Sequence, residues 1–137
     1  MRLFLPLAVL APLAVLCTLR ASESPRPAAA NRIFEMRTYH THPGRLDALN
    51  ARFREHTNKL FVKHGMDLVG YWVPQGKSDT LVYILAYPSR EAREASWKAF
   101  QADPDWKEAR EASEKDGKIV AKVDSVFLDP TDYSPIK

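Results

Sequence analysis

The segment from Thr80 to Tyr87 has no polar side. In an extended strand Leu81, Tyr83 and Leu85 fall on one face, and Val82, Ile84 and Ala86 on the other, because successive side chains alternate. The apolar run before it, Met66 to Pro74, behaves alike, with Val69, Tyr71 and Val73 set against Leu68 and Trp72. Gln75-Gly76-Lys77-Ser78 lies between the two runs as a turn, so they form a hairpin. An antiparallel sheet with one wet face alternates cleanly between apolar and polar. This hairpin needs cover on both sides. At about 25 cal/mol per Å², several hundred Å² of apolar surface is worth on the order of 10 kcal/mol before association costs. A patch of that kind marks an interface. Two sheets closing face to face would cover it, giving a barrel shared by two subunits; the alternative cover is the chain's own C-terminal tail.

The elements around the hairpin specify what supplies the first cover. Ile33 to His40 alternates as a strand, with Phe34, Met36 and Thr38 on one side and Glu35, Arg37 and Tyr39 on the other. His42-Pro43-Gly44 breaks it, and Pro43 suits the first turn of a helix, where no amide is missed. That helix runs from about Arg45 to His64 and stops at Gly65, a residue free to take the left-handed conformation that ends helices. Leu46, Leu49, Phe53 and Leu60 form its apolar stripe, which His56 completes and His64 extends. After the hairpin, Ser89 caps a helix carrying Ala92, Ala95, Ser96 and Phe100 on one side. Asp103-Pro104 ends it and starts another, and the last strand runs from Ile119 to Leu128. The order is β-α-β-β-α-β with a broken second helix. This predicts an α+β, ferredoxin-like, four-stranded antiparallel sheet with helices on one face, pairing into a dimeric α/β barrel.

The N-terminal stretch does not belong to that domain. Arg2 precedes an uncharged apolar run from Leu3 to Leu16. A bilayer span needs roughly 20 residues, so the run fits a signal peptide better. The expected organisation is a signal peptide over 1–21, a Ser/Pro/Ala-rich linker over 22–31, the domain over 32–130 and a tail over 131–137. Cleavage after Ala21 or in Ala28-Ala29-Ala30, or lipidation at Cys17, are the alternatives for processing. Export to the periplasm or the medium is the expected result, with no membrane contact beyond the export signal. Cys17 is the only cysteine, so cleavage at either alanine site leaves no disulfide framework or thiol nucleophile. The full chain holds 20 Lys+Arg and 17 Asp+Glu; without residues 1–30, which hold Arg2, Arg20, Arg26 and Glu23, the balance is 17 against 16. Near-neutrality and the lack of a basic stripe argue against nucleic acid as a partner.

Several segments together resemble the NIPSNAP family of the dimeric α/β-barrel superfamily. They are the opening strand Ile33-Phe34-Glu35-Met36-Arg37-Thr38-Tyr39, the helix start His42-Pro43-Gly44-Arg45-Leu46, the turn His64-Gly65-Met66 with Val69-Gly70-Tyr71-Trp72, and the break Ala102-Asp103-Pro104-Asp105-Trp106. The resemblance covers about residues 32–130. It implies the fold and a homodimer rather than a reaction. Animal members of the family are mitochondrial and linked to membrane traffic and organelle quality control; an exported chain departs from that setting, so those partners are not carried over. Related barrels include cofactor-independent monooxygenases of aromatic polyketides and haem-binding enzymes.

Among the chemistry-bearing residues, His56 and His64 lie eight apart, about two helical turns, and both can face the sheet. In an apolar pocket an imidazole can serve as a base toward a phenolic or enolic substrate, with Tyr83 or Trp72 nearby. The plainer readings are a hydrogen-bonded core histidine at 56 and a helix-terminus complement at 64. His40 and His42 offer two ligands at most, short of a metal site. Glu35, Arg37 and Tyr39 share a strand face and must pair if buried; the expected arrangement is a Glu35–Arg37 ion-pair network at the dimer interface, the alternative an anion-binding or carbonyl-polarising Arg37. Trp72, Trp97 and Trp106 are core packing or the lining for a flat ligand. No phosphate-binding glycine loop or paired-carboxylate spacing appears, and no cofactor is read from the sequence. The expectation is a homodimer binding a small apolar or aromatic ligand, with Arg37, Tyr39, His56, His64, Trp72, Tyr83 and Trp97 as pocket candidates and His56 as the candidate catalytic residue. The alternative is a cofactor-independent monooxygenase or isomerase with a pocket histidine as base; a haem protein with His56 or His64 as axial ligand is a third.

Overall fold

A computed structural model of the chain describes residues 32–137; the expected signal peptide, Cys17 and the linker lie outside them. Four strands, β1 (Ile33–Thr41), β2 (Asp67–Trp72), β3 (Thr80–Tyr87) and β4 (Val120–Leu128), form one sheet in the order β2-β3-β1-β4. Every neighbouring pair is antiparallel. Helices α1 (Leu46–Arg52) and α2 (Asn58–Lys63) are joined by a π-helical turn, Phe53–Thr57, into one continuous rod. Helices α3 (Arg90–Ala102) and α4 (Pro104–Ser113) come after the hairpin. This is the ferredoxin-like arrangement, and the helices cover one face.

Local chemistry sets the boundaries. Gly65, with φ of 76°, ends the first helical rod, and Gly76, with φ of 75°, turns the hairpin. The Ser89 side chain accepts from the Ala92 amide at 3.1 Å, and the Asp103 side chain accepts from the Asp105 amide at 2.9 Å, with Pro104 in the first turn. The core lies between helices and sheet: Leu49, Phe53, Phe61, Met66, Leu81, Tyr83, Leu85, Trp97 and Phe100 are all buried.

Two one-residue irregularities change which way side chains face. A bulge between Leu68 and Gly70 places Leu68 opposite Leu85 and Tyr71 opposite Tyr83, both on the helix side, while Trp72 lies opposite Val82 on the open side. The strict alternation of Val69, Tyr71 and Val73 is thus corrected, because an extra residue reverses the parity of a strand. The π turn does the same to the helix. Its wider loop brings Thr57, not His56, beneath Phe53, and the Thr57 hydroxyl donates to the Arg52 carbonyl at 3.2 Å. His56 is therefore exposed, and does not complete the apolar stripe.

The open face carries Phe34, Met36, Val82, Ile84 and Ala86 from the central strands. The C-terminal tail crosses one end of it: Pro130, Thr131, Ser134 and Ile136 line a hollow of about 350 Å³ with Phe34, Val69 and Ile84. Trp72 is still 51% exposed, Val126 50% and Leu128 36%. The tail shields a corner of the face, not the face. Among the described residues no helix is long and apolar enough to cross a membrane.

Candidate functional site

Strand β1 directs Glu35, Arg37 and Tyr39 toward the helices, because their partners across the sheet are Leu85, Tyr83 and Leu81. Glu35 is fully buried. Arg93 on α3 grips it with Nη2 donating to Oε1 at 2.7 Å and Nε donating to Oε2 at 3.0 Å. Arg37 Nη1 donates to Oε1 at 2.6 Å, Ser125 Oγ to Oε1 at 2.7 Å and the Tyr87 hydroxyl to Oε2 at 3.2 Å. Trp97 Nε1 in turn donates to the Tyr87 oxygen at 2.9 Å. Burial, the largest single influence, pushes the Glu35 carboxyl up; the hydrogen bonds from Arg93 and Ser125 with the charge of Arg37 together outweigh it and hold it down to about 2. The expected Glu35–Arg37 ion pair forms, but beneath the protein's own helices. Its placement at a subunit interface is corrected: the open side of β1 carries Phe34 and Met36 instead.

Beside this network, between β1, β4 and the helices, is a cavity of about 560 Å³. That size is within the range of small-molecule sites. It lies against the Val120–Val123 end of β4, beyond the stretch where Phe127 packs under Arg90 and Arg93 of α3. Its walls are aromatic: Tyr39, Phe53, Phe61, Trp97, Phe100 and Trp106. Its charged lining is Arg37, Arg52, Lys107, Arg110, Lys118 and Lys122 against a single carboxylate, Glu114. Arg37 stacks on Trp97 with its guanidinium carbon 4.3 Å from the ring centre, and Nε donates to the Tyr83 hydroxyl at 3.1 Å. Burial works against the Arg37 charge, but Tyr39, Tyr83 and Glu35 outweigh it and raise its proton affinity. Arg52 lies over Trp106 at 5.3 Å, with Nη1 donating to Ser113 Oγ and to Glu114 Oε1, each at 3.2 Å. The Arg52 side chain is 4% exposed, and its Nε has no hydrogen-bond partner among the described residues.

Of the residues singled out from the sequence, Arg37, Tyr39 and Trp97 line this cavity, and Tyr83 backs it through its bond to Arg37. The other three lie elsewhere. His56 is solvent-facing, 3.9 Å from Glu55. His64 Nε2 lies 2.6 Å from Asp103 Oδ2, tying the end of α2 to the cap of α4. Trp72 lies on the open face, its ring packed so closely over Gly70 that a Cβ there would meet it at 2.6 Å. Burial keeps the Tyr83 phenol well above its usual range. No histidine lines the cavity. Among the described residues no group of three or more His, Cys, Asp or Glu side chains is placed to hold a metal ion. Arg52 went unremarked in the sequence, although a signal was there: a charged residue between Leu49 and Phe53 on the buried stripe. The convergence of Lys107, Lys118 and Lys122 had no local signal.

Comparison with known proteins bears on the fold around this site. The family model described as NIPSNAP matches residues 34–135. A NIPSNAP family protein of unknown function from Agrobacterium tumefaciens is 23% identical with a TM-score of 0.69, the match covering 79% of this chain and 96% of that one. An uncharacterized NIPSNAP-like domain protein from Burkholderia xenovorans is 20% identical with a TM-score of 0.68, over 77% and 90% of the two chains. A protein from Chloroflexus aurantiacus, named for antibiotic biosynthesis monooxygenase, is 18% identical with a TM-score of 0.54, over 77% and 99%. At these identities the likeness is one of fold. Among curated proteins none matches the chain.

Proposed function

The chain belongs to the NIPSNAP family, and from that premise we propose that its mature form is an exported homodimer whose helix–sheet cavity binds a small apolar or aromatic molecule. The observation that carries the reading is the cavity itself: about 560 Å³ walled by six aromatic side chains beside the buried core. The leader supports export, and the apolar residues left exposed on the open face, Trp72, Val126 and Leu128, support a second copy as their cover. Catalysis by a cofactor-independent monooxygenase or isomerase route draws only on likeness of fold. Its expected base, His56, is outside the cavity, which leaves that reading without a proton acceptor of the right kind.

Mass spectrometry under non-denaturing conditions, on protein isolated from its native compartment, tests all parts together. The expected result is a particle of two mature chains, each without its leader, that releases a small aromatic or apolar molecule on denaturation. Monomers carrying nothing, with the leader intact, would overturn the reading.

A further inference from the structure

We propose, resting on the cavity being a ligand site, that its ligand is an aromatic carboxylate whose ring lies among the aromatic walls and whose carboxylate is taken by Arg52. Three observations lead there. The first is a local concentration of charge. The domain as a whole is nearly neutral, 17 cationic side chains to 16 anionic beyond residue 30, yet the cavity lining holds six cations and one carboxylate. Neither Lys107 nor Lys118 makes an ion pair among the described residues.

The second is shared neutralisation. Glu114 serves both Arg52, at 3.2 Å, and Arg110, at 3.5 Å. Glu35 serves both Arg37, at 2.6 Å, and Arg93, at 2.7 Å, but Arg93 has Glu94 as well, at 3.0 Å, and the lining Lys122 pairs with Asp124 at 2.8 Å. The uncompensated positive charge is therefore at the α4 end of the cavity, where Arg52 and Arg110 divide one carboxylate and Lys107 and Lys118 have none among the described residues. An anion entering from water would be drawn in and would relieve that excess.

The third is Arg52 itself. Its Nε is buried without a partner, which is costly for a charged donor. An apolar side chain of similar length would suit the stripe between Leu49 and Phe53 better on packing grounds. The guanidinium fork matches a planar carboxylate with two parallel hydrogen bonds, and Arg52 already sits over Trp106, beside the surface on which a ring would stack. The positive groups of the lining are guanidinium and ammonium side chains, and no glycine lines it to bring backbone amides close, as phosphate sites commonly do. The third observation thus favours a carboxylate on a flat body over a phosphate.

The test uses two probes of one shape, 1-naphthoate and the neutral 1-naphthamide, titrated into the mature protein at low salt by calorimetry and tryptophan fluorescence. Naphthoate is expected to bind about tenfold or more tightly than the amide, the scale of one charge-assisted pair. Arg52→Met should remove most of that preference, costing naphthoate far more affinity than the amide. A second variant, Lys107→Gln with Lys118→Gln, changes only exposed side chains and should weaken naphthoate several-fold without disturbing the fold, so it decides the matter should Arg52→Met not fold. Equal affinity for the two probes overturns the carboxylate assignment and leaves small-molecule binding standing. Binding of neither probe overturns both.

Discussion

At the α3 end of the space between helices and sheet, Glu35 receives five donated hydrogen bonds from Arg93, Arg37, Ser125 and Tyr87. That is one more than the roughly four lone pairs of a carboxylate's two oxygens. At the α4 end, Arg52 is also buried, but it shares its one carboxylate with Arg110 and leaves Nε unmet. Both ends hold arginines stacked on tryptophan, Arg37 on Trp97 and Arg52 on Trp106. The difference is in completion. A saturated network has nothing left to offer a ligand and acts as a structural pin, whereas an unfinished one beside a cavity retains the capacity to bind.

The two ends therefore respond differently to substitution. The largest effect is expected at Glu35→Gln, which leaves Arg37 without a counter-charge and Arg93 with only the exposed Glu94; about 3–5 kcal/mol of unfolding free energy should be lost in urea denaturation. Next comes acid. The Glu35 carboxyl is lowered from 4.5 to about 2 in the folded protein, so the stability it contributes is fully present above pH 4.5 and is lost as the pH falls toward 2. The loss is about 3 kcal/mol, visible as a falling melting temperature across that window in wild type and missing from Glu35→Gln. Smallest is Arg52→Met, which exchanges an unfinished charge for an apolar chain among aromatic rings and should shift unfolding free energy by no more than about 1 kcal/mol. A loss at Arg52→Met as large as that at Glu35→Gln would erase the distinction between the two ends.

The sequence carried the architecture because punctuation residues sit at every junction: Gly65 behind the first rod, Gly76 in the hairpin, Ser89 and Asp103-Pro104 ahead of α3 and α4. Periodicity then identified the helices and strands between them. It failed where one residue was added without changing composition. The bulge after Leu68 and the π turn at Phe53–Thr57 look like ordinary strand and helix in one dimension, yet each reverses or rotates the side chains beyond it. His56 was misplaced for that reason, and Trp72 was assigned to a pocket although it lies on the open face. Arg37, Tyr39 and Trp97 were legible as cavity residues because no irregularity intervenes from Ile33 to Tyr39 of β1, ahead of the register shift at His40–Thr41, or in α3. The remaining lining comes from α4, the turn after it and β4, and only the antiparallel pairing of β4 with β1 brings those segments together.

The π turn has a further consequence. It works as a gear between two halves of one rod: Leu49, Arg52 and Phe53 on the first half are buried, and beyond them the wide loop brings Thr57 and Phe61 round to the core beside Leu60 while leaving His56 outside. Deleting a single residue there would remove the extra one that the wide turn absorbs, giving a straighter helix with both halves still facing the core. The local irregularity thus lets the rod carry an added residue without giving up either half's contact with the sheet.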